Sequence, residues 1–278
     1  MPFRQAAYRL GRFIRHHLTA WNTGGEGIHS PSLFHFVRMI VYDDNAYYAY
    51  EAIERQRERL LACDDTIRQT DYGTGAGQAE ASGGKGAQAV VERRVSDIAR
   101  THLEKPQIAQ LLFRTVNYLT EQQRKPLTIV ELGTSLGITT AYLASPDERN
   151  SVLTYEGAPE VAKIAGDVWK NLVLTNIRQV TGNIDDTLRT SCPKQVDIAY
   201  VDANHTYEAT LRYFRQLLTA AQPHSIYIID DIHHSPQMTQ AWQAIQAMDE
   251  VTSTLDLYHI GIVLFNPHLM KKHYRLKI

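Results

Sequence analysis

The sequence predicts an α/β fold, with a mostly parallel sheet that ends in an antiparallel β-hairpin and follows a helical N-terminal extension. Three observations lead to this prediction. A short apolar run at 127–132 leads into a glycine-containing turn and then into helical spacing. Apolar runs and helical segments then alternate as far as 238–248. The last two apolar runs, 254–258 and 260–265, lie too close together for a helical crossover, so they should pair as antiparallel strands.

The individual elements follow from hydrophobic spacing. Strands are expected where short apolar runs rich in β-branched residues occur: 127–132, 151–155, 177–181, 196–201 and 225–229. Helices are expected where apolar residues recur at helical spacing after each run: 138–144, 160–172, 184–188, 207–221 and 238–248. In an open sheet of this kind, ligands bind beyond the carboxyl ends of the strands. The acidic residues of this half of the chain gather at those ends.

Composition restricts the class of protein. A chain of 278 residues can hold one large domain with an extension, and its 44% hydrophobic content is typical of a globular protein. The formal net charge of −1 argues against a nucleic-acid partner. The two cysteines have no metal-ligand spacing, and neither a membrane span nor a signal peptide is recognisable. A reduced, cytoplasmic location is therefore expected.

The N-terminal part is predicted to be a mostly helical cap, residues 1–106, with a glycine-rich loop at 71–88, before a domain at 107–278. Its first helix, 3–21, is cationic and amphipathic. One face carries Phe3, Ala7, Leu10, Ile14 and Trp21, and the opposite side carries Arg4, Arg12 and Arg15. Such a helix lies on an anionic membrane surface, or packs on the domain or on a second subunit of a homodimer. The sequence leaves these interpretations open.

The turn after the first predicted strand carries the clearest motif. A strand, a glycine turn and a helix form a unit that holds a nucleotide or an anion. Ser135 replaces the middle glycine of a dinucleotide fingerprint, and Glu131 at the end of the strand favours a cationic ligand. The pattern Glu131-x-Gly133-x-x-x-Gly137 resembles the first motif of class I S-adenosylmethionine (SAM) methyltransferases. Their Rossmann-like sheet also ends in a β-hairpin.

The resemblance implies a set of residues that bind SAM. The set consists of Glu131, Gly133, Thr134, Ser135, Gly137, Glu156, Asn183, Ile184 and Asp202. Glu156 follows the second strand, where a carboxylate accepts hydrogen bonds from ribose hydroxyls of either SAM or NAD. Asn183 or Asp185 would reach the adenine amino group while Ile184 covers the ring, although an N-cap explains Asn183 or Asp185 equally well.

A second resemblance concerns the chemistry. Asp202-Ala-Asn-His205-Thr-Tyr, together with Asp230-Asp231, is similar to the O-methyltransferases related to catechol O-methyltransferase and to metal-dependent sugar O-methyltransferases. It implies a small-molecule hydroxyl acceptor and a Mg²⁺-type ion held by Asp202, Asp230 and Asp231. Three converging carboxylates are costly without a cation. Asp202 and His205 are the candidate catalytic residues. His205 stands where catechol-type enzymes carry a lysine base, and imidazole accepts protons near neutral pH.

The predicted function is SAM-dependent methylation of a small-molecule hydroxyl group, with a divalent metal ion as a further expected cofactor. Two alternatives remain open. A NAD-dependent oxidoreductase would share Glu156 and the sheet, but neither Glu131 nor the terminal hairpin. A membrane-surface protein with a vestigial nucleotide site would use the helix at 3–21.

Overall fold

The N-terminal part is mostly helical. The computed structural model of the chain describes residues 2–70 and 90–278. Its first helices are α1 (Pro2–Thr19), α2 (Pro31–Phe36), α3 (Tyr48–Leu61), α4 (Val95–His102) and α5 (Pro106–Gln123), and a π-helical turn, Val37–Val41, continues α2. The predicted helical extension is therefore confirmed. Two strands that were not predicted, β1 (Thr66–Thr70) and β2 (Val90–Arg94), pair antiparallel. The glycine-rich loop predicted at 71–88 lies outside the described residues.

The remaining elements alternate as the sequence predicts. The strands are β3 (Thr128–Leu132), β4 (Ser151–Glu156), β5 (Ile177–Thr181), β6 (Val196–Val201), β7 (Ala221–Ile229), β8 (Ser253–Asp256), β9 (Gly261–Leu264) and β10 (Lys272–Arg275). The helices among them are α6 (Ile138–Ala144), α7 (Pro159–Asn171), α8 (Ile184–Ser191), α9 (Tyr207–Leu218) and α10 (Pro236–Ala247). The strands form a mostly parallel sheet with flanking helices, so the predicted α/β fold class is confirmed.

Local capping residues fix where several helices begin. The side chains of Ser30, Thr206 and Ser235 each accept a hydrogen bond from the backbone N–H three residues further on. Proline occupies the first turn of α2, α5, α7 and α10, where its missing N–H costs no hydrogen bond. These helix starts follow from the local sequence alone.

The chain divides into two compact units. One unit comprises Met1–Asp43 and Pro193–Ile278, and the other comprises Asp44–Cys192. This division does not test the domain boundary predicted between residues 106 and 107, which stays a prediction. The two units are called the terminal unit and the central unit below.

The central unit contains three parallel strands, with β4 between β3 and β5. Its helices α3, α4, α5, α6 and α7 contribute to one apolar core, in which the ring of Tyr50 makes edge contacts with the rings of Phe113 and Tyr142. In the strand register, Leu132 pairs with Tyr155 and Glu156 pairs with Thr181. The carboxyl ends of the three strands therefore lie along one edge.

The terminal unit contains β6 and β7 in parallel, with β9 antiparallel to both β7 and β8. The predicted antiparallel pairing of the last two apolar runs is therefore confirmed. A further strand, β10, lies parallel to β8 at the edge of this part of the sheet and was not predicted. Helices α9 and α10 pack against each other in the same unit.

Helix α1 packs on the terminal unit through its polar face. The hydroxyl group of Tyr8 donates to Thr239 Oγ1 over 2.7 Å, and the hydroxyl group of Tyr258 donates to the carbonyl group of Arg9. His16 is buried on the same side of the helix. The side of α1 opposite its apolar face therefore contacts the rest of the terminal unit. Within the described ranges, no helix has the length and apolar content needed to cross a bilayer.

A buried carboxylate at the end of β8 holds this face of α1. Asp256 Oδ1 lies 3.3 Å from His16 Nδ1, and Asp256 Oδ2 lies 2.9 Å from His233 Nε2. The other ring nitrogen of His16 lies 2.9 Å from the carbonyl oxygen of Leu276. Burial raises the pKa of Asp256, but the hydrogen bonds and charges of the two histidines outweigh it and hold that pKa well below its usual value.

We predict that Asp256→Asn lowers the free energy of unfolding by about 3 kcal/mol, because it removes one partner from a buried ion-pair network. Since the folded-state pKa is depressed, this contribution is complete above pH about 4 and disappears as the pH falls. Urea unfolding at several pH values measures it, with the exposed Asp249→Asn as the matched control. Equal stability of Asp256→Asn and the control at neutral pH would contradict the assignment.

Candidate active site

The turn between β3 and α6 has a backbone conformation that glycine favours. Gly133 and Gly137 have φ values of 99° and 80°, and Ser135 between them has a φ of 49°. The backbone N–H groups of Gly133 and Thr134 both donate to the carbonyl oxygen of Tyr155, over 3.0 and 3.1 Å. The turn is therefore fastened to the end of β4 in a defined conformation.

Gly137 is also required by the space around it. A Cβ atom there would lie 2.7 Å from Trp169 Nε1 and 2.8 Å from Ala165 Cβ on α7. The indole N–H of Trp169 donates to the carbonyl oxygen of Gly137 over 2.8 Å. This close approach brings the start of α6 against α7, which is the function of the last glycine in a nucleotide-binding turn.

Glu131 is fully buried at the end of β3. Its Oε2 accepts hydrogen bonds from the hydroxyl groups of Thr140, in the first turn of α6, and Thr154, on β4. The hydroxyl group of Thr134 in the turn lies 2.6 Å from that of Thr154. The carboxylate therefore ties together the two strands, the glycine turn and the helix.

Glu156 lies at the end of β4, as predicted, and is half-buried. Its Oε2 accepts a hydrogen bond from the backbone N–H of Ser135 over 2.9 Å, and its Oε1 accepts one from the N–H of Ala158 over 2.9 Å. A carboxylate offers about four acceptor positions. The geometry thus allows Glu156 to support the turn and also to accept hydrogen bonds from the hydroxyl groups of a ligand.

The loop after β5 completes the edge of the central unit. The N–H of Gly182 donates to the carbonyl oxygen of Glu156 over 2.8 Å. Asn183 is the N-cap of α8, since its Oδ1 accepts a hydrogen bond from the N–H of Asp185 over 3.0 Å. Ile184 follows it and is half-buried. The capping interpretation of Asn183 is therefore observed, and contact of Asn183 or Ile184 with adenine stays a prediction.

In the terminal unit, Asp202 follows β6 and stands beside His205. His205 Nε2 lies 3.3 Å from Asp202 Oδ1, and both side chains are partly exposed. The intervening Asn204 adopts a left-handed conformation, and Thr206 caps α9. The tight loop therefore turns an aspartate and a histidine three residues apart toward each other.

The acidic pair follows β7. Asp230 is buried, and its N–H donates to the carbonyl oxygen of Val201 over 2.9 Å. Asp231 Oδ2 lies 3.1 Å from His234 Nδ1. Burial raises the pKa of Asp231, but its hydrogen bond to His234 and the charges of His205, His234 and Arg9 outweigh it, so the pKa is lowered overall. Asp231 therefore stays ionised well into acidic conditions.

The two imidazole rings of this unit lie near each other. The rings of His205 and His234 are nearly parallel, with centroids 6.0 Å apart. The guanidinium group of Arg9, on α1, lies against the ring of His234 and donates to its carbonyl oxygen. The carboxylates of Asp202 and Asp231 are therefore each matched by a histidine, and Arg9 adds a fixed positive charge.

The predicted metal ligands do not form a compact donor set. In the ranges that the structure describes, the group of three metal-ligating side chains whose ligand atoms all lie within 4.8 Å is His16, His233 and Asp256, and not the three predicted aspartates. The guanidinium group of Arg12 lies 3.1 Å from His233 Nδ1, which disfavours a cation in that group as well. The structure does not bring the ligand atoms of the three predicted aspartates within 4.8 Å of one another, and the metal assignment stays a prediction.

No role for Arg9, and no pairing of His234 with Asp231, was predicted from the sequence. A local signal for His234 was present, since Asp231 and His234 have the same Asp-x-x-His spacing as Asp202 and His205. No signal in the sequence indicates Arg9, because it lies 225 residues before His234 in the chain. Long-range contacts of this kind appear only with the fold.

Comparison with known proteins agrees with this geometry. Residues 130–232 match the model of a family described as a methyltransferase domain. No curated protein sequence matches the chain. The O-methyltransferase from Bacillus cereus, solved with SAH, is 16% identical with a TM-score of 0.53, and the match covers 84% of this chain and 97% of that one.

Two further solved structures are similar. A Klebsiella pneumoniae protein assigned as an O-methyltransferase is 15% identical with a TM-score of 0.54, over 82% of this chain and 94% of that one. Cofactor-bound Rv0187 from MTB is 16% identical with a TM-score of 0.52, over 60% of this chain and 83% of that one. At these identities the structures show the fold.

The fold and the family match over residues 130–232 support a SAM-dependent methyltransferase. The matched segment begins on β3 and includes the glycine turn, Glu156, Asp202 and His205. The class predicted from the sequence is therefore confirmed.

We predict that Gly137→Ala destabilises the protein by about 2 kcal/mol or more, because the new Cβ meets Trp169 and Ala165 at a positive φ. Gly166→Ala on α7 is the matched control, since its Cβ meets nothing within 4 Å and alanine favours a helix. Thermal and urea unfolding measure both variants. If Gly137→Ala were as stable as the control, the steric role of Gly137 would be refuted.

Proposed function

We propose that the protein transfers the methyl group of SAM to a hydroxyl group of a small molecule. The observation that carries this proposal is the pairing of His205 with Asp202, because an oriented imidazole is the general base that a hydroxyl acceptor needs. The O-methyltransferases among the similar structures support oxygen as the acceptor atom.

The residues of the central unit would hold SAM. Glu156 would accept hydrogen bonds from the ribose hydroxyls, since its carboxylate is fixed by the N–H groups of Ser135 and Ala158. The backbone of Gly133, Thr134 and Ser135, which bends through left-handed conformations, would let the cofactor approach closely. A carboxylate at Glu131 would favour a sulfonium cation over a pyrophosphate. The donor set fits SAM better than a nicotinamide dinucleotide.

The loop after β5 would contact the adenine ring of SAM. Ile184 would cover one face of the ring, and Asn183 would reach the amino group with the part of its amide that the helix cap does not use. Asp202, at the end of β6, would contribute to the cofactor site as well as to the orientation of His205.

The proton of the acceptor would pass to His205. With the Nε2 proton of the ring directed at Asp202, Nδ1 would carry the lone pair that takes up the proton of the hydroxyl group. Bound SAM supplies an electrophilic methyl group, and the acceptor oxygen forms a bond to that carbon as the carbon–sulfur bond breaks. His205 would then release its proton to solvent, since its side chain is 29% exposed.

A divalent ion remains a separate proposal for this reaction. Asp202, Asp230 and Asp231 are oxygen donors of the kind that Mg²⁺ prefers. Two of them already face histidines, and this pairing offsets charge that an ion would otherwise neutralise. We therefore assign no step to a metal, and turnover with and without a chelator tests whether an ion takes part.

We predict that Glu156→Gln raises the Kd for SAM by roughly 10- to 100-fold, because a hydrogen bond to a charged group contributes about 1.5–3 kcal/mol. Isothermal titration with SAM and with NAD measures the effect. Glu160→Gln, an exposed change on α7, is the matched control. Tighter binding of NAD than of SAM by the unmodified protein would overturn the assignment of the cofactor.

We predict that His205→Ala lowers kcat by about 10²- to 10⁴-fold and leaves the Kd for SAM unchanged, because the general base is lost. Release of SAH with a panel of phenolic and sugar acceptors measures turnover, and the acid limb of the rate–pH profile should disappear. The exposed His268→Ala is the control.

The same assay is run with and without a chelator. Unchanged kcat in His205→Ala would remove His205 from the mechanism. Loss of turnover with the chelator and its recovery with Mg²⁺ would show that the three carboxylates act through an ion.

A further inference from the structure

Helix α1 exposes the apolar face that a surface helix normally buries. Leu10, Ile14, Leu18 and Trp21, here called the α1 stripe, are 60%, 50%, 74% and 79% exposed. Their spacing places them along one side of the helix and the turn that follows it. A contiguous apolar surface of this kind on a globular protein indicates a site of interaction.

The orientation of the stripe is fixed by contacts on the other side of the helix. Tyr8 binds Thr239, Arg12 lies against His233, and His16 contacts Asp256. These polar contacts extend over most of the length of α1. A rotation that buried the stripe would break all of them, so the exposure is a property of the folded terminal unit.

The two chain segments next to the stripe contain basic residues and no acidic ones. The first 25 residues contain four arginines, and the last 22 contain four lysines or arginines, although the whole chain has a net charge of −1. Arg9 and Arg12 lie on the side of α1 that contacts the protein, so the cations beside the stripe are Arg15 and those of the C-terminal segment.

The two segments lie side by side. The N–H of Asn22 donates to the carbonyl oxygen of Arg275, and the N–H of Arg275 donates to Asn22 Oδ1. The guanidinium group of Arg275 also donates to Thr19 Oγ1 over 3.1 Å.

The basic C-terminal segment therefore adjoins the end of the stripe that carries Trp21. The N–H of Lys277 donates to Thr23 Oγ1, and the next residue, Ile278, is an exposed apolar side chain. The side chain of Arg15, within α1, is also exposed. Apolar side chains flanked by cations, with tryptophan among them, are the combination that inserts into the headgroup region of an anionic bilayer.

We propose that the α1 stripe docks the protein on the surface of an anionic phospholipid bilayer, with the neighbouring lysines and arginines contacting the headgroup phosphates. A second copy of the chain is a poorer occupant, because symmetric pairing would bring the same cations of both copies together. Nucleic acid would neutralise the cations but leave the apolar side chains in water. This proposal does not depend on the methyl-transfer reaction.

The test is flotation of the full-length protein with vesicles of phosphatidylcholine alone and of phosphatidylcholine mixed with phosphatidylserine. We expect binding to the anionic vesicles that weakens as salt is added. Leu18→Ser combined with Trp21→Ser should reduce that binding at least about tenfold, since two apolar anchors are lost. Arg15→Gln combined with Lys277→Gln should reduce binding to anionic vesicles specifically.

Val173→Ser, which removes an equally exposed apolar side chain from the central unit, is the matched control and should bind like the unmodified protein. All substituted residues are exposed, so equal melting temperatures check that the variants are folded. Absence of binding to either vesicle would overturn the proposal. A dimer in light scattering that the Leu18→Ser/Trp21→Ser variant dissociates, without vesicle binding, would overturn it in favour of self-association.

Discussion

Two acidic side chains hold the glycine turn between β3 and α6, and the proposed cofactor site depends on that turn. Glu131 accepts hydrogen bonds from the hydroxyl groups of Thr140 and Thr154, and Glu156 accepts one from the backbone N–H of Ser135. Left-handed backbone conformations persist only where the surroundings determine them. The two side chains therefore shape the turn through contacts within the protein.

Histidine and arginine side chains, and not only an external cation, offset the acidic residues of the terminal unit. Three neighbouring carboxylates implied an external cation, because like charges cannot gather without compensation. The protein supplies much of that compensation itself. His205 faces Asp202, His234 faces Asp231, and Arg9 adds a positive charge beside His234. The Asp-x-x-His spacing accompanies both pairings but does not by itself predict one, since Asp230 and His233 have the same spacing and His233 contacts Asp256 instead.

How well each element could be predicted depends on what stabilises it. The strands β3 to β9 were located within a few residues, because buried apolar runs define them. By contrast, β1, β2 and β10 are rich in polar residues. Each forms by pairing with another strand, β1 with β2 and β10 with β8, and the local sequence does not reveal this pairing. The capping role of Asn183 was foreseen, since an N-cap is a local signal. The contacts of Arg9 and His16 were not, since their partners lie more than 200 residues away.

The orientation of α1 shows which force decides when two compete. Burying the α1 stripe would gain about 1.5–3 kcal/mol for each side chain, so apolar burial alone would turn this face inward. The polar face of α1 instead makes several specific contacts, from Tyr8 to Thr239, from Arg12 to His233 and from His16 to Asp256. Rotation would break all of them and would remove one of the two histidine partners of the buried Asp256, which would keep only His233. These contacts together oppose the rotation of the helix, and the exposed apolar side follows from them.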